Sequence, residues 1–477
     1  MRIPTHPLRL ASLAVAAAAL TGCQTYEQKT ADTKSIWKSG NYAAAATDFT
    51  QKADKAKDGK DALVYRLEQA AALRAAGKIP ESIEAFQKAD DVINAYEEKA
   101  RTSVASETGA VLSNQANLPY TGRDYDKVMV NTYQALNYLH LGLSEKARPE
   151  IIRTFQRQQD AVENNKKRIE KEEEEIKKAG DGKKNESRSV EQAKADPKVS
   201  GLLKDNYTAL DTLKAYADYV NPFPVYLDGV FFLTFAAGGS DLERARKSFE
   251  RVKGLSGETK YINADLALAE KAANGEPMPA RTYVIFETGS APARGQFRLD
   301  IPVFFLGSGR VPYVGAAFPK LEFDPSHIAA LNVTAGGAIQ TTALLASMDG
   351  VVGQAFKDEL PSIITKTLLS TTIKATASYF VNKAAEDAGG AIAGLFSKVA
   401  TAATQAAVNI ADTRSWTTLP KEFQYCSFPT PADSKLDIAA SNGQKTEVAV
   451  EPNSTSLVLV KSVGPGTPLV VNVIKLK

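Results

Sequence analysis

The sequence predicts an α+β fold, in which a helical, solenoid-like half is followed by a β-sandwich-like half. Three observations carry this reading. Apolar residues recur at helical spacing from about residue 35 to 275, the period changes to two after Gly275-Glu276-Pro277, and an Ala/Gly/Thr-rich run from about 344 to 412 interrupts the strand pattern. The chain has 477 residues, 44% of them hydrophobic and 24% charged, which suits two to four domains at roughly 100 to 200 residues each. With 31 Gly, 22 Pro and 2 Cys it is neither collagen-like nor a disulfide scaffold. Its net charge of +3, from 58 basic and 55 acidic residues, is too balanced for gripping phosphate backbones, so no nucleic-acid partner is expected.

The first 22 residues place Arg2 and Arg9 before an apolar run ending at Leu20, the layout of a secretory signal, and the run is too short to span a bilayer comfortably. Leu20-Thr21-Gly22-Cys23 resembles the lipobox of bacterial lipoproteins. That resemblance implies cleavage before Cys23, a diacylglycerol on its thiol and, because Gln24 rather than Asp follows, an outer-membrane address, the inner membrane being the alternative. A generic signal with a chance cysteine is the alternative. Each buried acyl CH₂ contributes about 0.8 kcal/mol and this class carries several chains, so anchoring needs no transmembrane helix. Loss of Arg2 and Arg9 with no acidic residue takes the charge from +3 to +1 and leaves two histidines, His140 and His327. Polar residues 23–34 read as a tether, and Cys426, alone in an apolar alternation, reads as a small core residue.

In the helical domain, 35–275, three stretches share one template. Gly40, Gly77 and Gly142 are each followed five residues later by a small residue (Ala45, Ser82, Ala147) and nine later by a large apolar one (Phe49, Phe86, Ile151). A less regular copy follows Gly238-Gly239 with Ala245 and Phe249. Glycine permits the turn, the small residue permits close helix approach, and the large one fills the space behind. The pattern resembles the tetratricopeptide repeat, clearest in GKIPESIEAFQKAD at 77–90, although the glycine spacings of 37 and 65 depart from a regular array of roughly 34. An ordinary Ala-rich bundle is the other reading. Repeats of this kind imply a concave face for protein partners.

Two segments of this half stand apart. Leu118 to Asp126 is turn-rich, and reads either as a binding rim exposing Tyr120, Arg123 and Tyr125 or as a helix entry capped by Asp124. Residues 150–200 form a highly charged insert with too few apolar positions to bury a face, so a solvated helical extension with a mobile tip near 180–189 is expected, a partner-binding arm being the sharper alternative.

In the β domain, 276–477, strands are readable at 281–287, 296–305, 435–439, 446–451, 454–461 and 469–475. The inserted Ala/Gly-rich segment has small residues at helical spacing, which lets helices pack closely in water or in lipid. Lys374, Lys383, Glu386, Asp387 and Lys398 break every uncharged run below the roughly 18 residues a span requires, so a hairpin packed on the sheet is expected. The step that follows contains Asp412, Arg414 and Trp416, either a surface site of Arg plane and aromatic ring or a structural tie.

Lipobox, degenerate repeats, the PYTGRDYDKV segment at 119–128 and the DTRSWTTLP step at 412–420 together resemble a family of bacterial envelope lipoproteins with a C-terminal β domain and no established activity. The resemblance implies an outer-membrane lipoprotein that faces the periplasm and holds envelope proteins, in peptidoglycan synthesis or envelope assembly. No GxSxG, HExxH, P-loop, GxGxxG or CxxC motif occurs, so no catalytic residue, cofactor or metal is assigned and the chain is read as a non-enzyme. A glycan- or peptidoglycan-binding β domain is the second functional reading. The candidate functional residues are therefore Cys23 for lipidation and Tyr120, Arg123, Tyr125, Asp412, Arg414 and Trp416 for interaction.

Overall fold

A computed structural model describes residues 24–102, 115–181, 183–214, 216, 220–303, 313–408 and 410–477. The segment expected to be a signal, residues 1–22, and Cys23 lie outside these residues. The molecule is mixed α+β, with helices first and sheets after.

Helix α1 (Tyr26–Lys38) starts where a tether was expected. Thr25 and Gln28 form a capping box, and Tyr26, Thr30, Thr33 and Trp37 are buried at helical spacing. The stretch reads as polar because threonines occupy two of those four inward positions. The only tether left among the described residues is Gln24 and Thr25.

Helices α2 (Tyr42–Ala56), α3 (Ala62–Ala75), α4 (Ile79–Thr102), α5 (Asp124–His140) and α6 (Ser144–Asp181) pack as successive neighbours. The turn glycines 40, 77 and 142 have φ of 82°, 76° and 72°, the left-handed region that the template requires of them. Every small and large residue of that template is buried. Ser82 also donates to the Ala70 carbonyl at 2.8 Å and accepts from Asn137 Nδ2 at 2.9 Å, so its hydroxyl is satisfied inside the contact.

The charged insert departs from expectation. Helix α6 runs on to Asp181, and α7 (Lys184–Ala195) and α8 (Pro197–Tyr207) follow it. Both α6 and α7 lie against α12 (Met348–Val408), the Ala/Gly-rich segment, instead of standing in solvent. Ala179, Val190, Ala193, Val199 and Leu203 join Phe356, Leu368, Leu369 and sheet residues Leu299, Ile301 and Phe318 in a second apolar cluster. The missing apolar face is supplied by α12, and Glu172 pairs with Lys366 at 3.2 Å and accepts from Ser362 Oγ at 2.7 Å.

Helix α9 (Pro222–Thr234) is buried along its whole length. It packs on α10 (Gly239–Ser256), which in turn packs on α11 (Lys260–Ala273). A Cβ at Gly229 would stand 2.7 Å from the Phe249 ring, so glycine is what lets α9 and α10 approach.

Strand β1 (Arg281–Thr288) lies at the centre of a five-stranded sheet, pairing parallel with β10 (Ser456–Ser462) and antiparallel with β7 (Glu422–Pro429). β11 (Val470–Lys475) and β6 (Ala343–Ser347) form its edges, so the first residues assigned to the helical insert are strand and the helix begins at Met348. A four-stranded sheet orders β5 (Ala338–Thr341), β4 (Leu331–Ala335), β8 (Lys435–Ala440) and β9 (Lys445–Ala449), and a hairpin joins β2 (Ala293–Pro302) to β3 (Tyr313–Glu322). β3 to β7 were not among the strands read from the sequence. The principal apolar core runs from Tyr26 to Leu476 and draws on both halves. Among the described residues, no helix is long and apolar enough to cross a membrane.

Candidate functional site

The two sequence segments singled out above, 118–126 and 412–420, are almost 300 residues apart and meet at one junction. Its first component is the start of α5. The Arg123 amide donates to Asp126 Oδ2 at 2.9 Å, so the capping carboxylate is Asp126 rather than Asp124. Asp126 is completely buried and also accepts from the Tyr120 hydroxyl. Arg123 Nη1 donates to that hydroxyl at 2.7 Å and to the Arg414 carbonyl at 2.9 Å. Tyr120 and Tyr125 are buried, not displayed on an exposed rim.

The second component is Arg414, 3% exposed, which is bidentate on Asp412 through Nε (2.7 Å) and Nη2 (3.0 Å). Its remaining N–H groups reach backbone carbonyls of the helical half: Nη1 donates to Leu118 at 2.7 Å and Lys60 at 3.1 Å, and Nη2 to Gln115 at 2.9 Å. Burial by itself would raise the Asp412 pKa, but Arg414 outweighs it and holds the carboxyl below its ordinary value. The Arg123 and Arg414 guanidinium carbons lie 5.2 Å and 5.5 Å from the Tyr120 ring centroid.

Two residues on, Trp416 enters the helical core between Phe86 and Tyr133, with ring centroids 5.9 Å and 6.0 Å away. Its Nε1 donates to Thr418 Oγ1 at 2.8 Å. The step therefore belongs physically to the helical layer, although it precedes β7 in the chain.

Glu68 is the residue that sequence reasoning missed. Completely buried on α3, it accepts from the Thr417 amide (2.8 Å) and hydroxyl (2.6 Å) through Oε1 and from the Thr418 amide (3.0 Å) through Oε2. Desolvation pushes its pKa up, and the hydrogen bonds from Thr417 and Thr418 only partly offset this. Its signal was available: Glu68 is the sole acid in the Ala/Leu-rich helix ALVYRLEQAAALRA. Glu287 on β1 makes a comparable tie with opposite electrostatics. It is 2% exposed, 2.8 Å from Lys461 and 3.1 Å from Arg74 of α3. Burial raises its pKa, yet the two cations prevail and hold it below the usual value.

Beside the junction lies a cavity of about 30 Å³ among Arg123, Tyr125, Asn165, Arg168, Asn221 and Glu359. Arg294 donates to Glu359 at 3.0 Å from the wall.

Elsewhere, burial raises the Cys426 thiol pKa, which opposes thiolate chemistry. His327 Nδ1 lies 2.9 Å from the Pro325 carbonyl, and His140 is held below its usual pKa by burial and by Arg74. Among the described residues, no group of three His, Cys, Asp or Glu is placed to hold a metal ion. No known protein family matches the chain, and no curated protein or solved structure matches it either.

Proposed function

We propose that this chain is a lipid-anchored lipoprotein of the bacterial envelope, held to the outer membrane through Cys23 and serving there as a non-enzymatic scaffold for other envelope proteins. The helix hairpins turned at Gly40, Gly77 and Gly142 are read as degenerate tetratricopeptide repeats, and the two larger sheets as a sandwich-like partner layer. The reading also draws on the likeness of motif order to envelope lipoproteins noted above.

The observation that supports it best is the junction itself. Arg414 spends its hydrogen bonds on Asp412 and on backbone carbonyls of the helical half, and Glu68 accepts from Thr417 and Thr418 of the step, which is the behaviour of a clasp. The clasp ties the helical and β layers together, which suits them to presenting a surface. A candidate face is the α5–α6 turn, where Leu141 and Leu143 are 42% and 38% exposed on either side of Gly142.

Two measurements test the proposal. Intact-mass analysis of the native product should find a chain beginning at an acylated Cys23; an unmodified sulfur, or a retained residue 1, defeats the anchor. Photo-crosslinkers at Leu141 and Leu143 in intact envelopes should yield a discrete protein adduct that one placed on exposed Lys445 does not. Equal labelling from both faces defeats the scaffold role. Truncation at residue 275 is a poor test, because the principal core is shared across it.

A further inference from the structure

Helix α12 changes character along its length. Through Ala375 it buries residues against α6, α7 and the sheet, whereas from Thr376 to the kink at Gly390 (φ 69°) no residue whose burial is described is buried. Beyond Gly390 the helix resumes to Val408, and the chain arrives at Thr413 on the body. The chain thus leaves the packed body after Ala375 and is back on it at Thr413.

Its outgoing leg has an ordered pattern. Ala377, Phe380, Val381, Ala384 and Ala388 are all exposed, at spacings of three, one, three and four, which gathers them into one apolar stripe about 16 Å long. Phe380 and Val381 are 62% and 56% exposed. Glu386 lies on the opposite side of the helix, while Lys383 and Asp387, three and seven residues after Phe380, flank the edge of the stripe.

We infer that this stripe lies in the membrane interface beside the N-terminal anchor, as a second, shallow point of attachment. The inference rests on the lipoprotein reading for the presence of a membrane. What selects the bilayer is the route of the chain. The Glu27 amide donates to Thr413 Oγ1 at 3.3 Å, so the first described helix begins where this arm of the chain is back on the body, and Cys23 lies only four residues before Glu27. An anchor there brings a bilayer to the corner from which the arm projects. A second copy is a poorer occupant, because five side chains fall well short of the roughly 20–30 residues a side of a stable interface. Tethering raises the effective concentration of lipid at the arm, so a short stripe suffices. The leg's mixed charges make this an apolar contact, insensitive to salt.

The test tethers the chain beginning at Gln24, which carries the whole described core, by an N-terminal histidine tag to nickel-lipid vesicles of phosphatidylethanolamine and phosphatidylglycerol. An environment-sensitive dye is attached at Ala384→Cys, Cys426 being buried. On tethering, emission should shift to the blue and rise by about twofold or more, equally at low and high salt. Phe380→Glu with Val381→Glu should abolish the change while leaving far-UV circular dichroism intact. Unchanged emission on fully tethered chains overturns the inference. A protein-concentration-dependent rise without vesicles also overturns it, assigning the stripe to a second copy. Since the tag replaces the acyl group, failure here leaves the Cys23 anchor untouched, and failure of acylation leaves this result standing.

Discussion

The junction and the arm are opposites in how they treat their environment. At the junction, charged groups that prefer water are buried and paired, as with Arg414 on Asp412 and three carbonyls. On the arm, apolar groups that prefer burial are left in solvent, as with Phe380 and Val381. A buried charge network restrains what it joins, since breaking it leaves an uncompensated charge. An exposed apolar stripe restrains nothing and costs little until something covers it. The difference separates the part of the molecule that holds it together from the part that faces outward.

The comparison is broken most directly at Arg414. Replacing it with alanine strands Asp412 and the carbonyls of Gln115 and Leu118, and should cost about 3–5 kcal/mol in urea unfolding. Adding Asp412→Ala should recover part of that loss, because the remaining charge is gone. Full additivity of the two would show that they do not form one unit.

Next comes the packing contact that lets α9 meet α10. Gly229→Ala places a Cβ within 2.7 Å of the Phe249 ring and should destabilise by about 1–3 kcal/mol. Phe249→Leu in the same chain should relieve some of that cost, and thermal melts read both effects.

The two buried glutamates sharpen the comparison through pH. Glu68 has a folded-state pKa raised above the ordinary 4.5, so the folded form binds the extra proton. Its contribution to stability is present below about 4.5 and is lost as pH rises through the folded value. Glu287 has a lowered folded-state pKa, so its contribution is present above 4.5 and is lost as pH falls through the folded value. Glu68→Gln should thus flatten the loss on the alkaline side of 4.5 and Glu287→Gln the loss on the acid side. Each changes the slope by at most about 1.4 kcal/mol per pH unit. Identical slope changes in the two variants would contradict the opposed environments.

The smallest effect belongs to the arm. Phe380→Ser removes a ring that is 62% exposed and should move unfolding free energy by no more than about 0.5 kcal/mol. A larger loss would mean that the stripe is packed within the molecule.

Much of this architecture was legible in advance. The glycine template marked turns and buried pairs because its logic is local: a left-handed residue, a small contact and a large filler within ten positions. The alternation of RTYVIFET marked β1 for the same reason, although burial on all eight positions reflects cover on both faces that no alternation conveys. The charged insert was misread because its apolar residues are sparse and its partner, α12, lies some 200 residues away. The tether was misread because threonines faced inward on α1. Both interaction segments admitted a structural reading, a helix entry at 118–126 and a tie at 412–416; what neither conveyed is that Tyr120, Arg123, Asp412 and Arg414 meet.

What the linear order of residues determined was the helical half, the change of period after Gly275 and the turn positions, each a matter of neighbours within a turn or two of chain. Only the tertiary structure decided that Trp416 fills the helical core, that Glu68 holds the Thr417 and Thr418 amides, and that the second stretch of α12 carries an exposed apolar face. Burial and charge compensation depend on what arrives from elsewhere in the chain, and nothing within one segment specifies its distant partner.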